Sequence, residues 1–248
     1  MANGEAAVEL RGVHKSFGAQ NVLNGVDLAV PAGETLSVLG RSGTGKSVLL
    51  RLIVGLQKPD AGSICVRGQD VTGSSGEELN DLRKKIGFLF QQAALYDSLT
   101  VEQNVAFPLR RHRPGSKNEH RERAHQLLDR VGMKKEHWGK MPSQISGGMQ
   151  KRVGLARALA LDPEILLFDE PTSGLDPISA GEIDDLIVRL QQEHRTTSIV
   201  VTHDLHGARA ISDHLALLHQ GNVLITGTFE DLKNSHDEFV AHFLQQAL

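Results

Sequence analysis

The chain has 248 residues and a mass of 27.0 kDa; at about 150 residues per domain that allows one large domain or two small ones with a full hydrophobic core. Apolar residues make up 40% and charged residues 23%, and 27 Lys and Arg against 30 Asp and Glu leave a net charge of −3, which excludes a nucleic-acid binder working through bulk positive charge. Cys65 is the only cysteine, which excludes an internal disulfide and a Cys-based zinc cluster and fits a reducing compartment. No apolar run nears the ~18–20 residues of a membrane span, and Met1 to Glu5 carry no charged-then-apolar leader, so a soluble, cytoplasmic protein is expected.

Val8 to Val30 reads as strands, with Val8-Glu9-Leu10 alternating and Leu28-Ala29-Val30 running into Pro31 and Gly33. Thr35 to Leu39 is an apolar run stopped by Gly40, the pattern of a buried strand. A helix is expected from Lys46 to about Leu56, with Val48, Leu49, Leu52, Ile53 and Leu56 at helical spacing and Gly55 near its end. Residues 62–90 read as further strands around a turn at Gly73-Ser74-Ser75-Gly76. Thr100-x-x-Gln103 is a capping box that opens a helix through Val101, Val105 and Phe107, limited by Pro108. A second helix is expected from about Asn118 to Val131. Ile165 to Phe168 and Ser198 to Val201 are short apolar runs of the kind that buried parallel strands use, each followed by a helical segment. Ser235-x-x-Glu238 caps a last amphipathic helix carrying Phe239, Val240, Phe243, Leu244 and Leu248; its polar face lacks Lys and Arg, which favours packing on protein over a membrane surface. The whole reads as a nucleotide-type α/β core interrupted by a helical insertion between about residues 100 and 160.

Gly40-Arg41-Ser42-Gly43-Thr44-Gly45-Lys46-Ser47 matches G-x-x-x-x-G-K-[ST] between an expected strand and an expected helix. Glycines let the backbone curl around phosphate oxygens, and the helix beginning near Lys46 adds its positive end. Lys46 would reach the β- and γ-phosphates, and the Ser47 hydroxyl would ligate Mg²⁺. Ile165-Leu166-Leu167-Phe168-Asp169-Glu170 carries two carboxylates to the tip of a buried strand. Beside a phosphate loop Asp169 would hold Mg²⁺, and Glu170 would act as general base on an attacking water. Ser146-Gly147-Gly148-Met149 opens another helix without the Glu that would close a capping box, so its backbone N–H groups form a second anion site far in sequence from Lys46.

This order of motifs resembles the nucleotide-binding subunit of ABC transporters over nearly the whole chain. The resemblance implies an α/β P-loop NTPase of the ABC ATPase fold, with a RecA-like core, an antiparallel β subdomain and a helical subdomain. It implies a single domain over 1–248: about 1–92 and 160–235 as core and β subdomain, about 93–159 as helical subdomain with the signature, and about 236–248 as C-terminal helix. Phe17 stands where the family stacks an aromatic on adenine, although it could instead be a core residue. Gly40 to Ser47, extended to Val48, is similar to Walker A, Gln91 after Phe88-Leu89-Phe90 to the Q-loop, and Ile145-Ser146-Gly147-Gly148-Met149 to the LSGGQ signature. Ile165 to Asp169 is similar to Walker B, with Glu170 as catalytic glutamate. Ser173-Gly174-Leu175-Asp176 is similar to the D-loop, and His203 to the switch histidine.

The cofactors implied are ATP and Mg²⁺, with Ser47, Gln91 and Asp169 around the metal. Two copies would pack head to tail, each ATP held between one copy's Walker A and the other's Ser146-Gly147-Gly148. Lys46, Gln91, Glu170 and His203 would serve hydrolysis, and Gln92 to Val105 would face a membrane permease. Met149 departs from the family's usual Gln, and a thioether cannot replace an amide's hydrogen bonds. That Met, with the stretches Gly43 to Leu50 and Phe90 to Val101, resembles the Mla/Mce-associated ATPases. This implies phospholipid transport between membranes from the cytoplasmic face of the inner membrane, with a permease, an Mce-domain lipid binder and a small STAS-type protein as partners, and no nucleic acid. Other readings stay open: the ATPase of another ABC transporter, such as a polar amino-acid importer, a soluble iron–sulfur assembly-type ATPase, or an ATP-dependent binding module with little turnover. His203-Asp204-Leu205-His206 also admits a metal-ligand reading, disfavoured for want of a third ligand nearby. The basic run from Arg110 to Arg123 reads as a solvated helix face ahead of a lipid or permease contact.

Overall fold

The computed structural model describes residues 6–194 and 196–247. Met1 to Glu5 and Leu248, which carried parts of the expectations above, lie outside the described residues. Two compact units are present: residues up to Leu82 together with Gln191 onward, and Arg83–Leu190.

In the first unit β1 (Ala6–Phe17) and β2 (Gln20–Pro31) form the antiparallel hairpin expected from Val8 to Val30. β3 (Thr35–Leu39) is buried along its whole length, and α1 (Lys46–Ile53) follows. α1 stops three residues before Leu56 because Gly55 takes a left-handed φ of 66°. Leu56 N–H then returns to Arg51 O at 2.8 Å and Gly55 N–H to Leu52 O at 3.0 Å, closing the helix with a Schellman turn. β4 (Ala61–Val66) pairs antiparallel with β1, and β5 (Gln69–Asp70) with β4.

Beyond Ser75 the expected strand is instead a helix, α2 (Gly76–Lys84). Its first turn carries Glu77 and Glu78 and its last Arg83 and Lys84, which suits the helix dipole, while Leu79 and Leu82 are buried at i, i+3 spacing. The Ser/Gly turn hid a helix start, because short apolar runs do not separate helix from strand.

The second unit begins its parallel pair with β6 (Ile86–Leu89). α3 (Val101–His112) has the capping box: Thr100 Oγ1 accepts from Gln103 N–H, and Gln103 Oε1 accepts from Thr100 N–H. Pro108 does not end this helix, which continues to His112. A proline in a helix interior removes one N–H bond, and the buried face of Val101, Val105, Ala106 and Leu109 carries the helix past it. α4 (Lys117–Arg130) begins with its own capping box, Ser116 with Glu119, and spans the expected helix within a residue at each end. Single 3₁₀ turns at Lys135–His137 and Pro142–Gln144 lead to α5 (Gly147–Ala158), and β7 (Ile165–Asp169) is buried throughout. α6 (Pro177–His194) leaves this unit near its end.

Back in the first unit, β8 (Thr197–Thr202), α7 (Leu205–Ile211), β9 (His214–His219), β10 (Asn222–Gly227), α8 (Phe229–Lys233) and α9 (Glu238–Ala247) complete the chain. β3 pairs parallel with both β8 and β9, and β10 closes antiparallel on β9. α9 is capped by Asp237, whose Oδ1 accepts from Phe239 and Val240 N–H at 2.8 and 3.0 Å, and not by Ser235. Ser235 Oγ instead accepts from Asp237 N–H at 3.2 Å, one turn too early to serve the helix. Val240 and Leu244 bury against Leu39, Leu205, Leu215, Leu217 and Leu232, so this helix packs on its own unit, against the end of β3.

Arg113 and Arg123 from the basic run both grip Asp162, Nη2 to carboxylate oxygen at 2.6 Å each. Burial alone would raise that carboxyl, but the two guanidiniums outweigh it and hold Asp162 below its ordinary value of 3.8. The stabilisation is therefore full above pH 3.8 and is lost as pH falls through the lower folded value. Asp162 is also left-handed (φ 52°), a conformation Asn tolerates. Asp162→Asn is expected to cost at most about 1 kcal/mol at pH 7, given the exposed carboxylate. In urea unfolding the gap from the parent should close as pH drops below that of the free carboxyl.

Candidate functional site: the phosphate loop and the two strand pairs

Each unit places its chemistry at the carboxyl ends of a parallel strand pair, where open α/β sheets bind ligands. In the first unit the register Leu39↔Thr202 brings the residues that follow, Gly40 and His203, out of the sheet side by side. In the second unit Leu89↔Phe168 does the same for Phe90-Gln91 and Asp169-Glu170.

The loop Gly40 to Ser47 is shaped by two left-handed glycines, Gly43 (φ 81°) and Gly45 (φ 103°). Gly45 has no room for a side chain: a Cβ would lie 2.9 Å from Val22 Cγ1, 3.0 Å from Leu23 Cδ2 and 3.1 Å from Val22 O. Thr44 closes the bend, its N–H and Oγ1 donating to Arg41 O at 3.3 and 2.9 Å. Lys46 is 5% exposed and folds back over the loop, its Nζ donating to Gly40 O at 2.8 Å and Arg41 O at 3.1 Å. The cap of α1 is a glycine with no side-chain hydrogen bond, so no side chain at the cap competes for the N–H groups of the first helical turn. A curled loop, an ammonium across it and a helix start without a side-chain cap fit a polyphosphate. Ser47 offers a hydroxyl in the first unit, and Gln91 and Asp169 offer an amide oxygen and a carboxylate in the second; each is a hard oxygen donor of the type that Mg²⁺ takes.

Phe17 is not a core residue: it is 46% exposed at the end of β1, with Lys15 Nζ 5.4 Å from its ring centroid and that lysine paired to Asp60 at 2.8 Å. His203 is exposed just past β8. The neighbouring Asp204 carboxylate, offered as a metal ligand by the sequence, caps α7 by accepting from His206 N–H at 2.9 Å.

In the second unit Asp169 and Glu170 are 4% and 8% exposed. Glu170 stands in the left-handed region (φ 47°), strain of a kind that collects at functional sites. Its carbonyl accepts from Ser173 N–H at 3.2 Å and from Lys151 Nζ at 3.0 Å. Lys151 Nζ also donates to Gln91 O, and Gln91 Nε2 donates to Ser173 Oγ at 3.4 Å. Burial lowers the Lys151 ammonium to about 8, Asp169 and Glu170 opposing the shift. The sequence pointed to none of this, because a lone lysine inside a helix looks like any solvated charge.

The signature start differs from expectation in one bond. Ser146 caps α5, its Oγ accepting from Met149 N–H at 3.3 Å, so that donor is taken by the chain itself. The N–H groups of Gly147 and Gly148 precede it in the first turn. Asp176 caps α6: its carboxylate accepts from Ser179 Oγ at 2.6 Å, Ser179 N–H at 3.0 Å and Ile178 N–H at 3.1 Å, and these bonds hold its carboxyl below the usual range. Beyond Gln91 a cleft of about 390 Å³ is lined by Phe88, Phe90, Tyr96, Phe107, Pro108 and Arg157. Among the described residues, no helix is long and apolar enough to cross a membrane.

Residues 23–173 match the family described as ABC transporter, and the chain belongs to that family. It is an ATP-binding, ATP-hydrolysing subunit that uses ATP with Mg²⁺, of a kind that works as a dimer with a membrane permease. It is 42% identical over 238 residues to a probable ribonucleotide transport ATP-binding protein, mkl, of Mycobacterium leprae, covering 96% of this chain and 68% of that one. It is 43% identical over 228 residues to the methionine import ATP-binding protein MetN of Caulobacter vibrioides, covering 91% and 68%. It is 40% identical over 238 residues to the intermembrane phospholipid transport system ATP-binding protein MlaF of Haemophilus influenzae, covering 96% and 90%. A dimeric ATP-binding cassette solved in a post-hydrolysis state with ADP and Pi superposes with a TM-score of 0.83 at 36% identity, over 89% of this chain and 98% of that one.

Gly45→Ala tests the loop directly. The added methyl meets Val22 and Leu23 in a left-handed backbone, so a loss of about 1–3 kcal/mol in unfolding stability is expected, together with at least ~10-fold weaker ATP binding by calorimetry.

Proposed function

We propose that the chain powers phospholipid movement between membranes, docked on a permease at the cytoplasmic face of the inner membrane. The reading of the cargo rests on the likeness of Met149 and of the stretches Gly43 to Leu50 and Phe90 to Val101 to the Mla/Mce-associated ATPases, beside a relative named for phospholipid transport at 40% identity over 96% of this chain. Relatives named for ribonucleotide and methionine transport stand at 42% and 43% identity. Identities of 40–43% do not separate the three. An Mce-domain lipid binder and a small STAS-type protein complete the complex on this reading, and residues about 93–159 form its helical subdomain.

Hydrolysis follows from the residues at the two strand pairs. Lys46 and the N–H groups of Gly43 to Ser47 bind the β- and γ-phosphates, and Lys46 exchanges its loop carbonyls for phosphate oxygens. Phe17 stacks on adenine, its exposed ring being available to do so. Mg²⁺, when bound by Ser47, Asp169 and Gln91, neutralises charge on the phosphates. Glu170 accepts a proton from water as the water oxygen attacks the γ-phosphorus and the bond to the β-phosphate oxygen breaks, releasing ADP and phosphate. His203 holds the γ-phosphate from the first unit's edge. Ser146, Gly147 and Gly148 of one copy close over the ATP of the other, so loss of the γ-phosphate opens the dimer. The aromatic cleft at Tyr96 and Phe107, with rings 4.7 Å apart and 47% and 37% exposed, seats the permease.

Replacing Glu170 by Gln removes the base and keeps its shape. Phosphate release should fall at least ~100-fold, with ATP affinity within about 3-fold and a dimer retained on size exclusion in ATP; unchanged release would refute the assigned role. For the cargo, the tagged chain drawn from detergent-solubilised membranes should bring a multi-span permease and an Mce-domain protein. That complex, in phospholipid vesicles, should move fluorescent phospholipid with ATP and leave methionine and ribonucleosides where they are. Recovery of soluble partners alone, or transport of either small solute, refutes the lipid reading.

A further inference from the structure

The geometry points to Lys151 as a positioning residue that ties the Gln91 turn to Glu170, so that the helix opened by Ser146 sets where both side chains stand. Lys151 is 4% exposed in the second turn of α5. Its Nζ donates to two main-chain carbonyls from opposite ends of the site, Gln91 O and Glu170 O, the latter at 3.0 Å. Gln91 lies beyond the end of β6, and Glu170 is the left-handed residue just past β7, so neither carbonyl is held by a strand ladder. The parallel register delivers the two strand ends side by side, and beyond them Ser173 N–H also donates to Glu170 O at 3.2 Å. The Lys151 ammonium joins the main chain after β6 to the main chain after β7.

The same face of α5 grips the rest of the turn. Gly154, a helical turn further on, lets the chain come close: a Cβ there would lie 2.8 Å from Leu89 Cδ1 and 3.1 Å from Ala93 Cβ. Arg157 donates to Ala93 O and Ala94 O at 2.7 Å each, across two consecutive left-handed alanines (φ 57° and 47°). Of these three contacts Lys151 alone also reaches Glu170. A buried ammonium is costly where Met or Leu would fill the space without charge. Two charge-assisted bonds, one after each strand tip, are what it gives in return.

The inference rests on the reading of Gln91 and Glu170 as hydrolytic residues, and the test separates the two. ATP hydrolysis is measured on the full chain as Lys151→Met, which keeps length and loses every donor, and as Lys151→Arg, which restores a cation. Glu170→Gln is run in parallel. The expected result is a kcat at least ~10-fold lower in Lys151→Met, ATP KM within about 3-fold, and recovery of most of the loss in Lys151→Arg. Should Lys151→Met not fold, Lys151→Gln replaces it, with kcat expected at least ~3-fold below the parent. Parent-like kcat in a folded Met or Gln variant, beside a dead Glu170→Gln chain, overturns the tie while sparing the hydrolytic reading. So does a folded Arg variant as slow as the Met one. A Glu170→Gln chain that still turns over removes the hydrolytic reading, and the tie with it.

Discussion

The constraint on which the rest depends is the parallel register of two strand pairs. A parallel ladder aligns strand ends of the same sense, so whatever follows one strand emerges beside whatever follows its partner. Leu39 with Thr202 and Leu89 with Phe168 are the terminal rungs, and the residues just beyond them are Gly40, His203, Phe90-Gln91 and Asp169-Glu170. Chemistry scattered over some 160 positions thus becomes two short rows of loop residues. The apolar composition of the strands is the price: β3, β7 and β8 are buried at every residue, which in turn requires cover such as α9 supplies against Leu39 and Leu217.

Ends alone do not orient side chains. At the phosphate loop the backbone itself does so, through Gly43 and Gly45 and the lysine folded over their carbonyls. At the second pair the orientation comes from outside the motif, from Lys151, Ser173 and Arg157 acting on carbonyls after the strand tips. The capping serines and aspartates belong to the same economy. Ser146, Asp176 and Asp204 each spend side-chain oxygen on a helix start, which rigidifies the turn and leaves the backbone N–H groups just inside it as the remaining anion donors.

Most of the fold was legible because its signals are local. The hairpin, the buried strand before Gly40 and the capping box at Thr100 each declare themselves within a few residues, and each forms as expected. Where the reading failed, tertiary context decided. Residues 76–84 form a helix because Leu79 and Leu82 have a surface to bury against. Pro108 stays inside α3 because the buried face continues on both sides of it. Asp237 outcompetes Ser235 because a carboxylate one residue before the helix reaches two N–H groups at once. The candidate site residues are visible as motifs, but Lys151 beside them is not. Its partners lie 60 and 19 positions away, and they are backbone atoms, which leave no trace in residue type.

Cargo is illegible for a different physical reason. On the proposed reading the site residues serve phosphate, metal, water, a second copy and a permease, and none of them is assigned to what is moved. Relatives named for ribonucleotide, methionine and phospholipid transport sit within 40–43% identity of this chain. A departure inside the engine is more telling. Met149 occupies a first-turn position whose N–H is already taken by Ser146, and the adjacent Gln150 amide is committed to Pro142 O at 3.0 Å. No side-chain amide at either position is thus free of its own chain, so on the proposed reading closure over ATP falls to the backbone N–H groups of Gly147 and Gly148. An engine closing on backbone donors alone tolerates Met at this point, because backbone N–H groups do not depend on residue identity.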